Sequence, residues 1–280
     1  MQFSKMQGAG NDFVLVETGE TESDWSQLAI AMCDRHYGIG ADGLLLVVPS
    51  RVADFRMRIF NTDGSEAEAC GNGLRCVVKY VVDQGLVKAG VKEVSIETLA
   101  GVRKAQFFKV NGKVAKVRAG MGKPSLGNGA GKPADIKSTM SQSLTVAGKK
   151  LELGLVSMGN PHAVYFSPEP VADFPLLELG PKIETHKIFP KGVNFEVARV
   201  VKRGRIEARV WEKGVGETLA CGSGASAITV AARLNKYIDN KAEIKLPGGT
   251  LEVEWDGTGE VFLSGPAETV FTGEWPESHR

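Results

Sequence analysis

The chain has 280 residues, 42% of them hydrophobic and 24% charged, with a formal net charge of +1. That composition supports a real core and gives no electrostatic reason to expect nucleic acid or an anionic membrane surface as a partner. No apolar run is long enough to span a bilayer, and Met1-Gln2-Phe3-Ser4-Lys5-Met6 has neither a signal core nor an Arg-rich transit character, so a cytoplasmic protein is expected.

Gly8-Ala9-Gly10-Asn11-Asp12 reads as a tight turn before a strand over 13–16. It resembles the start of a dinucleotide fingerprint, but the third glycine is missing and no strand is expected before it, so no nucleotide site is assigned. Residues 24–35 have helical spacing through Trp25, Leu28, Ala29 and Met32, with Ser23 or Asp24 as N-cap. The loop at 38–43 leads to an apolar strand over 44–48. Residues 55–60 alternate apolar and basic, the pattern of a half-buried strand. After the turn Asn61-Thr62-Asp63-Gly64, the residues Leu74, Val77, Val78, Val81 and Val82 fall at helical spacing on a helix apolar around most of its circumference, and therefore buried. A strand over 94–98 precedes a hairpin, 102–110 and 113–119, about Asn111-Gly112, a type I′ signal. Residues 120–132 are rich in glycine and read as a linker. Beyond it, strands are expected over 150–157, 163–166, 195–201 and 206–212, then an almost wholly apolar helix over 225–234. Strands around Ile244, 251–255 and 261–263 close the chain.

One stretch occurs twice. Gly64-Ser65-Glu66-Ala67-Glu68-Ala69-Cys70-Gly71-Asn72-Gly73 matches Gly216-Glu217-Thr218-Leu219-Ala220-Cys221-Gly222-Ser223-Gly224, and each copy runs into a buried helix. Cys70 and Cys221 stand 151 residues apart, as do the strand-ending Asn61 and Glu212; Asn11 and Asn160 stand 149 apart. Three near-equal offsets indicate a duplicated half-molecule. The expected fold is α/β (α+β), with two pseudo-symmetric halves, each a mostly antiparallel sheet wrapped around a central helix. The halves are 1–120 plus 267–280, carrying Cys70, and 121–266, carrying Cys221.

A helix N-terminus offers unsatisfied N–H groups and partial positive charge. A cysteine just before it is expected to have a depressed pKa and to be partly thiolate. Glycines let the backbone approach a bound anion closely. Two such sites facing one cleft suggest a carboxylate held between helix ends, with a sulfur on each face of the adjacent carbon. One thiolate removes a proton and the opposite thiol returns one, inverting the centre without a cofactor. Cys33 and Cys76 read as small core hydrophobes. No cysteine pair has Cys-x-x-Cys spacing and the histidines are scattered, so no metal site is expected.

These residues resemble the diaminopimelate epimerase family. The resemblance runs nearly end to end. It is carried by Gly10-Asn11-Asp12-Phe13, Arg35-His36-Tyr37-Gly38-Ile39-Gly40-Ala41-Asp42-Gly43, Phe60-Asn61-Thr62-Asp63-Gly64-Ser65, Cys70-Gly71-Asn72-Gly73-Leu74-Arg75-Cys76, Gly159-Asn160-Pro161-His162, Gly192-Val193-Asn194 and the run from Trp211 through Gly224. It implies cofactor-independent, two-base conversion of LL- to meso-diaminopimelate in lysine and peptidoglycan-precursor synthesis, an amino-acid substrate and a homodimer. It also implies that the tail after Gly265-Pro266-Ala267 returns to the first half.

Carried over by position, Cys70 and Cys221 are the two bases. Gly71, Asn72, Gly222 and Ser223 cradle the carboxylate at the reacting carbon. Asn11, Asn61, Asn160 and Asn194 bind the polar groups and distal end of the amino acid, together with Glu212 and Lys213. His162 and Glu212 tune the thiols. The family usually has Arg where this chain has Lys213. Lys offers a point charge in place of a two-pronged fork, which leaves a racemase of another amino acid as one alternative. A non-catalytic thiol redox sensor is the other.

Overall fold

The chain opens on strand β1 (Gln2–Gly8) and turns through Ala9 and Gly10, at φ of 56° and 84°, into antiparallel β2 (Asn11–Glu17). The sequence pattern predicts no strand before Gly8. Lys5 breaks the apolar alternation there, yet it is buried, because its ammonium is held by Asp12 and the Gly40 carbonyl. The glycine turn therefore joins two antiparallel strands and opens no helix, so it lacks the setting of a phosphate loop. The computed structural model describes residues 1–20, 23–68, 70–126 and 142–276. They form two units, Met1–Gly120 with Ser264–Arg280, and Met121–Leu263.

In the first unit, helix α1 (Trp25–Cys33), N-capped by Asp24, leads to β3 (Gly43–Val48), parallel to β2. Strand β4 (Phe55–Asn61) returns antiparallel to β3, and helix α2 (Gly71–Asp83) leads to β5 (Glu93–Thr98), parallel to β4. The hairpin β6 (Gly101–Val110) and β7 (Lys113–Gly120) follows, with Asn111 and Gly112 at positive φ as a type I′ turn requires. Period-two alternation divides the core. Phe13, Leu15, Leu45 and Val47 face α2, whereas Val14, Val16, Leu44, Leu46 and Val48 face α1. This explains why β2 and β3 read as unbroken apolar runs. Strand residues from β1 to β7 surround Leu74, Val77, Val78 and Val81 of α2. Each such side chain is worth about 2 kcal/mol in burial, which fixes the start of α2 firmly in place.

The second unit begins with two short pieces. The strand β8 (Ser125–Leu126) pairs with the end of a later strand and lies inside the expected linker, of which residues 127–132 fall outside the described residues. The strand β9 (Gln142–Val146) forms a hairpin with β10 (Lys149–Ser157). Then the plan of the first unit recurs. β11 (Pro161–Phe166) is antiparallel to β10, β12 (Asn194–Lys202) is parallel to β11, and β13 (Arg205–Glu212) is antiparallel to β12. After β14 (Gly216–Thr218) comes helix α4 (Gly222–Leu234). It leads to β15 (Lys241–Leu246), parallel to β13, and β16 (Gly249–Glu254).

Helix α3 (Leu176–Glu184) lies between β11 and β12 in the chain and was not expected, because prolines at 168, 170, 175, 181 and 190 hide it. Its Leu176, Leu179 and Ile183 are nonetheless buried at helical spacing. Strand β17 (Phe262–Gly265) begins within the second unit, and β18 (Glu268–Glu274) follows it and pairs with β1. Among the described residues, the four α-helices are set among mostly antiparallel strands, and none is long and apolar enough to cross a membrane.

Candidate functional site

In the first unit, Cys70 is the N-cap of α2. Its backbone is extended (φ −143°, ψ 119°) and its sulfur accepts the Gly73 N–H at 3.4 Å. Gly73 is needed at close quarters, since a Cβ there would lie 2.9 Å from Leu45 Cδ2. The thiol also faces Asn11 Oδ1 at 3.8 Å. Asn11 is engaged at both ends of its amide. Its Nδ2 donates to Asp42 (2.7 Å) and its Oδ1 accepts from Asn72 Nδ2 (3.1 Å). Asp42 and Asp12 are tied by Arg35, and Asp12 is also paired with Lys5. Burial pushes the Asp12 carboxyl up, but the Arg35 and Lys5 hydrogen bonds and the Lys5 charge outweigh it and bring the pKa down to about 2.

Beneath this turn lies Arg75, fully buried. It donates to the Gly71 carbonyl (3.1 Å), Asn72 Oδ1 (2.8 Å) and the Pro266 carbonyl (3.1 Å), none of them a carboxylate. Gly8 leaves room for the guanidinium, since a Cβ there would stand 3.0 Å from Arg75 Nη2. Burial lowers the Arg75 pKa, opposed by the neighbouring Cys76 and Cys70 thiols. Asn61 is exposed and its amide donates to Ser65 Oγ (2.9 Å), within its own turn.

In the second unit, Cys221 caps α4 in the same way, with φ −122°, ψ 117° and the Gly224 N–H at 3.4 Å from its sulfur. Ser223 Oγ lies 3.4 Å from the sulfur. Asn160 Nδ2 donates to Ser223 Oγ (3.4 Å), Asn160 Oδ1 pairs with His162 Nε2 (3.0 Å), and His162 Nδ1 pairs with Glu196 Oε1 (2.6 Å). His162 and Glu196 are both buried, and Glu196 Oε2 has no hydrogen-bond partner. Burial pushes the Glu196 carboxyl up, against the charge of His162.

Glu212 accepts from Thr218 Oγ1 at 2.5 Å. Asn194 is a brace: its Nδ2 donates to the Pro161 carbonyl (2.9 Å) and its Oδ1 accepts the Lys213 N–H (3.0 Å). The Lys213 ammonium is exposed and reaches the Lys191 carbonyl at 3.4 Å. Helix α3 supports this corner, because Glu184 accepts from Trp211 Nε1 (2.7 Å) and the Gly214 N–H (2.9 Å).

The expectation of a depressed thiol pKa fails at Cys221. The thiol is pushed well above its ordinary value, first by burial and then by the Glu212 charge, and the Ser223 and Gly224 hydrogen bonds only partly oppose this. A helix N-terminus is a weak influence beside removal from water and a nearby carboxylate. Cys33 and Cys76 are pushed up to about 12 by burial, as inert core thiols are.

The structure gathers Asn11, Cys70, Gly71 and Asn72 in the first unit. In the second it gathers Asn160, His162, Cys221, Gly222 and Ser223, with Asn194, Glu212 and Lys213 around the end of β13. Arg75 and Glu196 were missed. Their sequence signals were a basic residue on a buried helix and a carboxylate between Phe195 and Val197.

A family pattern described as diaminopimelate epimerase matches residues 3–127 and 154–270. The diaminopimelate epimerase of Acetivibrio thermocellus is 45% identical over 282 residues, 98% of each chain. That of Methanococcus maripaludis strain C5 is 43% identical over 98% of this chain and 99% of the relative. Among solved structures, a phenazine biosynthesis protein of the PhzF family from Bacillus anthracis is 19% identical with a TM-score of 0.72, over 99% of both chains. A hydroxyproline epimerase from Agrobacterium vitis is 16% identical, also at 0.72, over 98% of this chain and 91% of its own. At those identities the structural likeness concerns the fold.

Proposed function

The chain belongs to the diaminopimelate epimerase family, and from that premise we propose that Cys70 and Cys221 are the two bases of its reaction. The reaction converts LL- to meso-diaminopimelate, a step of lysine biosynthesis. One thiolate takes the α-proton, so that a C–H bond breaks and an S–H bond forms. The electron pair left on carbon spreads into the α-carboxylate. The other thiol then gives its proton to the opposite face, forming the new C–H bond and leaving a thiolate. The sulfurs finish with protonation reversed and reset by exchange with solvent. The chemistry asks for no cofactor.

One observation carries this reading. Two cysteines in equivalent sequence positions cap equivalent helices, each with a glycine at the first helical position and its sulfur at 3.4 Å from a first-turn N–H. N–H groups of Gly71, Asn72, Gly222 and Ser223 bind the α-carboxylate and take up its developing charge. Asn11, Asn61, Asn160 and Asn194, with Glu212 and Lys213, receive the ammonium and distal groups. An engaged carboxamide keeps a second hydrogen for this purpose. His162 and Glu212 adjust the Cys221 thiol. The enzyme works in the cytoplasm as a homodimer, as its family resemblance implies.

The test is proton bookkeeping in deuterated water. Product carries solvent deuterium at the inverted carbon, while unreacted substrate carries little at early times. Substrate that exchanged as fast as product formed would indicate a single base.

A further inference from the structure

We propose, resting on the two-thiol reading, that Glu196 is a positioning residue for Cys221: acting through His162 and Asn160, it aims the Ser223 hydroxyl at the sulfur. The contacts form an unbroken chain across β12, β11 and the start of α4. Glu196 Oε1 meets His162 Nδ1 at 2.6 Å, His162 Nε2 meets Asn160 Oδ1 at 3.0 Å, Asn160 Nδ2 meets Ser223 Oγ at 3.4 Å, and Ser223 Oγ meets Cys221 Sγ at 3.4 Å.

The chain has a direction. Asn160 Oδ1 can only accept, so His162 Nε2 must carry a hydrogen. That holds when Glu196 and His162 Nδ1 have one proton between them, on whichever atom it sits. Asn160 is then oriented with its NH₂ toward Ser223. With its oxygen accepting from Asn160, Ser223 has its own hydrogen free to donate to the sulfur. A donor there stabilises a thiolate as it forms. If the pair loses that proton, His162 keeps its hydrogen on Nδ1 for the Glu196 carboxylate and Nε2 becomes an acceptor. Asn160 must then turn over, and Ser223 donates to its oxygen. Two carboxylates lie near the sulfur, Glu212 on β13 and Glu196 itself, and negative charge on either opposes the thiolate.

The fold does not require a carboxylate at this place. Residue 45 occupies the same position in the first unit, 151 residues earlier, and it is leucine. The packing is equivalent. A Cβ on Gly73 would meet Leu45 Cδ2 at 2.9 Å, and one on Gly224 would meet Glu196 Oε1 at 3.0 Å. Burying a carboxyl with one oxygen unpartnered is costly, and the first unit manages the same geometry without it. What Glu196 adds is therefore control of His162.

A double-mutant cycle tests the chain. Glu196→Gln is nearly isosteric and lowers kcat about 10- to 100-fold, with KM changed less. Ser223→Ala lowers it by a similar factor, and the double variant is no worse than Ser223→Ala alone. Multiplicative losses would overturn the proposal, because a merely structural Glu196 has no reason to act through Ser223. Nitrogen NMR of His162 in the unaltered enzyme needs no variant. Nε2 carries hydrogen at working pH, and a bare Nε2 would equally overturn it. An active Cys221→Ser variant would instead defeat the two-thiol reading, and it would leave the His162 result standing.

Discussion

The two helix-capping cysteines share a backbone and differ in what surrounds them. Each sulfur accepts the N–H three residues on, at 3.4 Å. In both helices, the residue five positions after the cysteine donates to the carbonyl of the first-turn glycine. Arg75 Nη1 reaches Gly71 at 3.1 Å and Ser226 Oγ reaches Gly222 at 2.9 Å. The charges around them are opposite. Near Cys70 lie apolar Phe13 and Leu45 with the buried cation of Arg75. Near Cys221, the equivalent strands β11 and β12 supply His162 and Glu196, with Glu212 beyond. The backbone places a sulfur, and the side chains beneath it decide its charge. Under the proposed two-thiol mechanism, bases that exchange roles in each turnover start from opposite protonation states, so the difference suits that reaction.

The most severe way to break the comparison is to remove one sulfur. Cys70→Ser or Cys221→Ser raises the pKa of that base far beyond the working range, so epimerisation falls by about 10²- to 10⁴-fold in either variant. Each single-thiol enzyme still eliminates halide from a substrate analogue whose proton lies on its own face. The two variants therefore act on opposite configurations, as release of halide will show. Elimination from the same configuration by both would remove the symmetry of roles.

Next in size is the cation under Cys70. Arg75 heads the fully buried side chains by volume and holds three groups together. Arg75→Ala costs about 3 to 5 kcal/mol of stability, measured by denaturant unfolding. Ser226→Ala, its counterpart, costs about 1 kcal/mol.

A smaller effect separates the units by pH. The Asp12 pKa is lowered from 3.8 to about 2, so its contribution to stability is present above pH 3.8 and is lost as pH falls toward 2. Asp12→Asn removes that part of the acid transition, leaving a shallower melting-temperature decline between pH 4 and 2. Smallest is Lys213→Arg. A planar fork at this exposed corner lowers KM for diaminopimelate by about 2- to 5-fold with little change in kcat. A switch of preference to another amino acid would show that Lys213 selects the substrate.

The cysteine repeat, both buried helices and the strands beside them were legible because their signals are local: period, turn residues and a fixed offset. β1 escaped because buried Lys5 looks like a surface residue until Asp12 and the Gly40 carbonyl are folded against it. β18 escaped because almost all of it is exposed and carries no alternation. At the site, Cys70, Cys221 and the asparagines stood out as motif residues, whereas Arg75 and Glu196 did not. Their partners, Pro266 and His162, lie 191 and 34 residues away, and only the folded chain gives a buried charge its meaning. The raised Cys221 pKa was hidden for the same reason, since burial and Glu212 outweigh a local helix end.

Titrating each thiol separately reads the surroundings of each sulfur directly. Alkylation rates with iodoacetamide, followed against pH, report Cys70 in the Cys221→Ser protein and Cys221 in the Cys70→Ser protein. Cys33 and Cys76, pushed up to about 12, stay silent over the range that matters. Cys221 is predicted to titrate above the ordinary thiol value of about 8.5. A Cys221 midpoint at or below that value would contradict the claim that burial and the Glu212 charge outweigh the helix end at this sulfur.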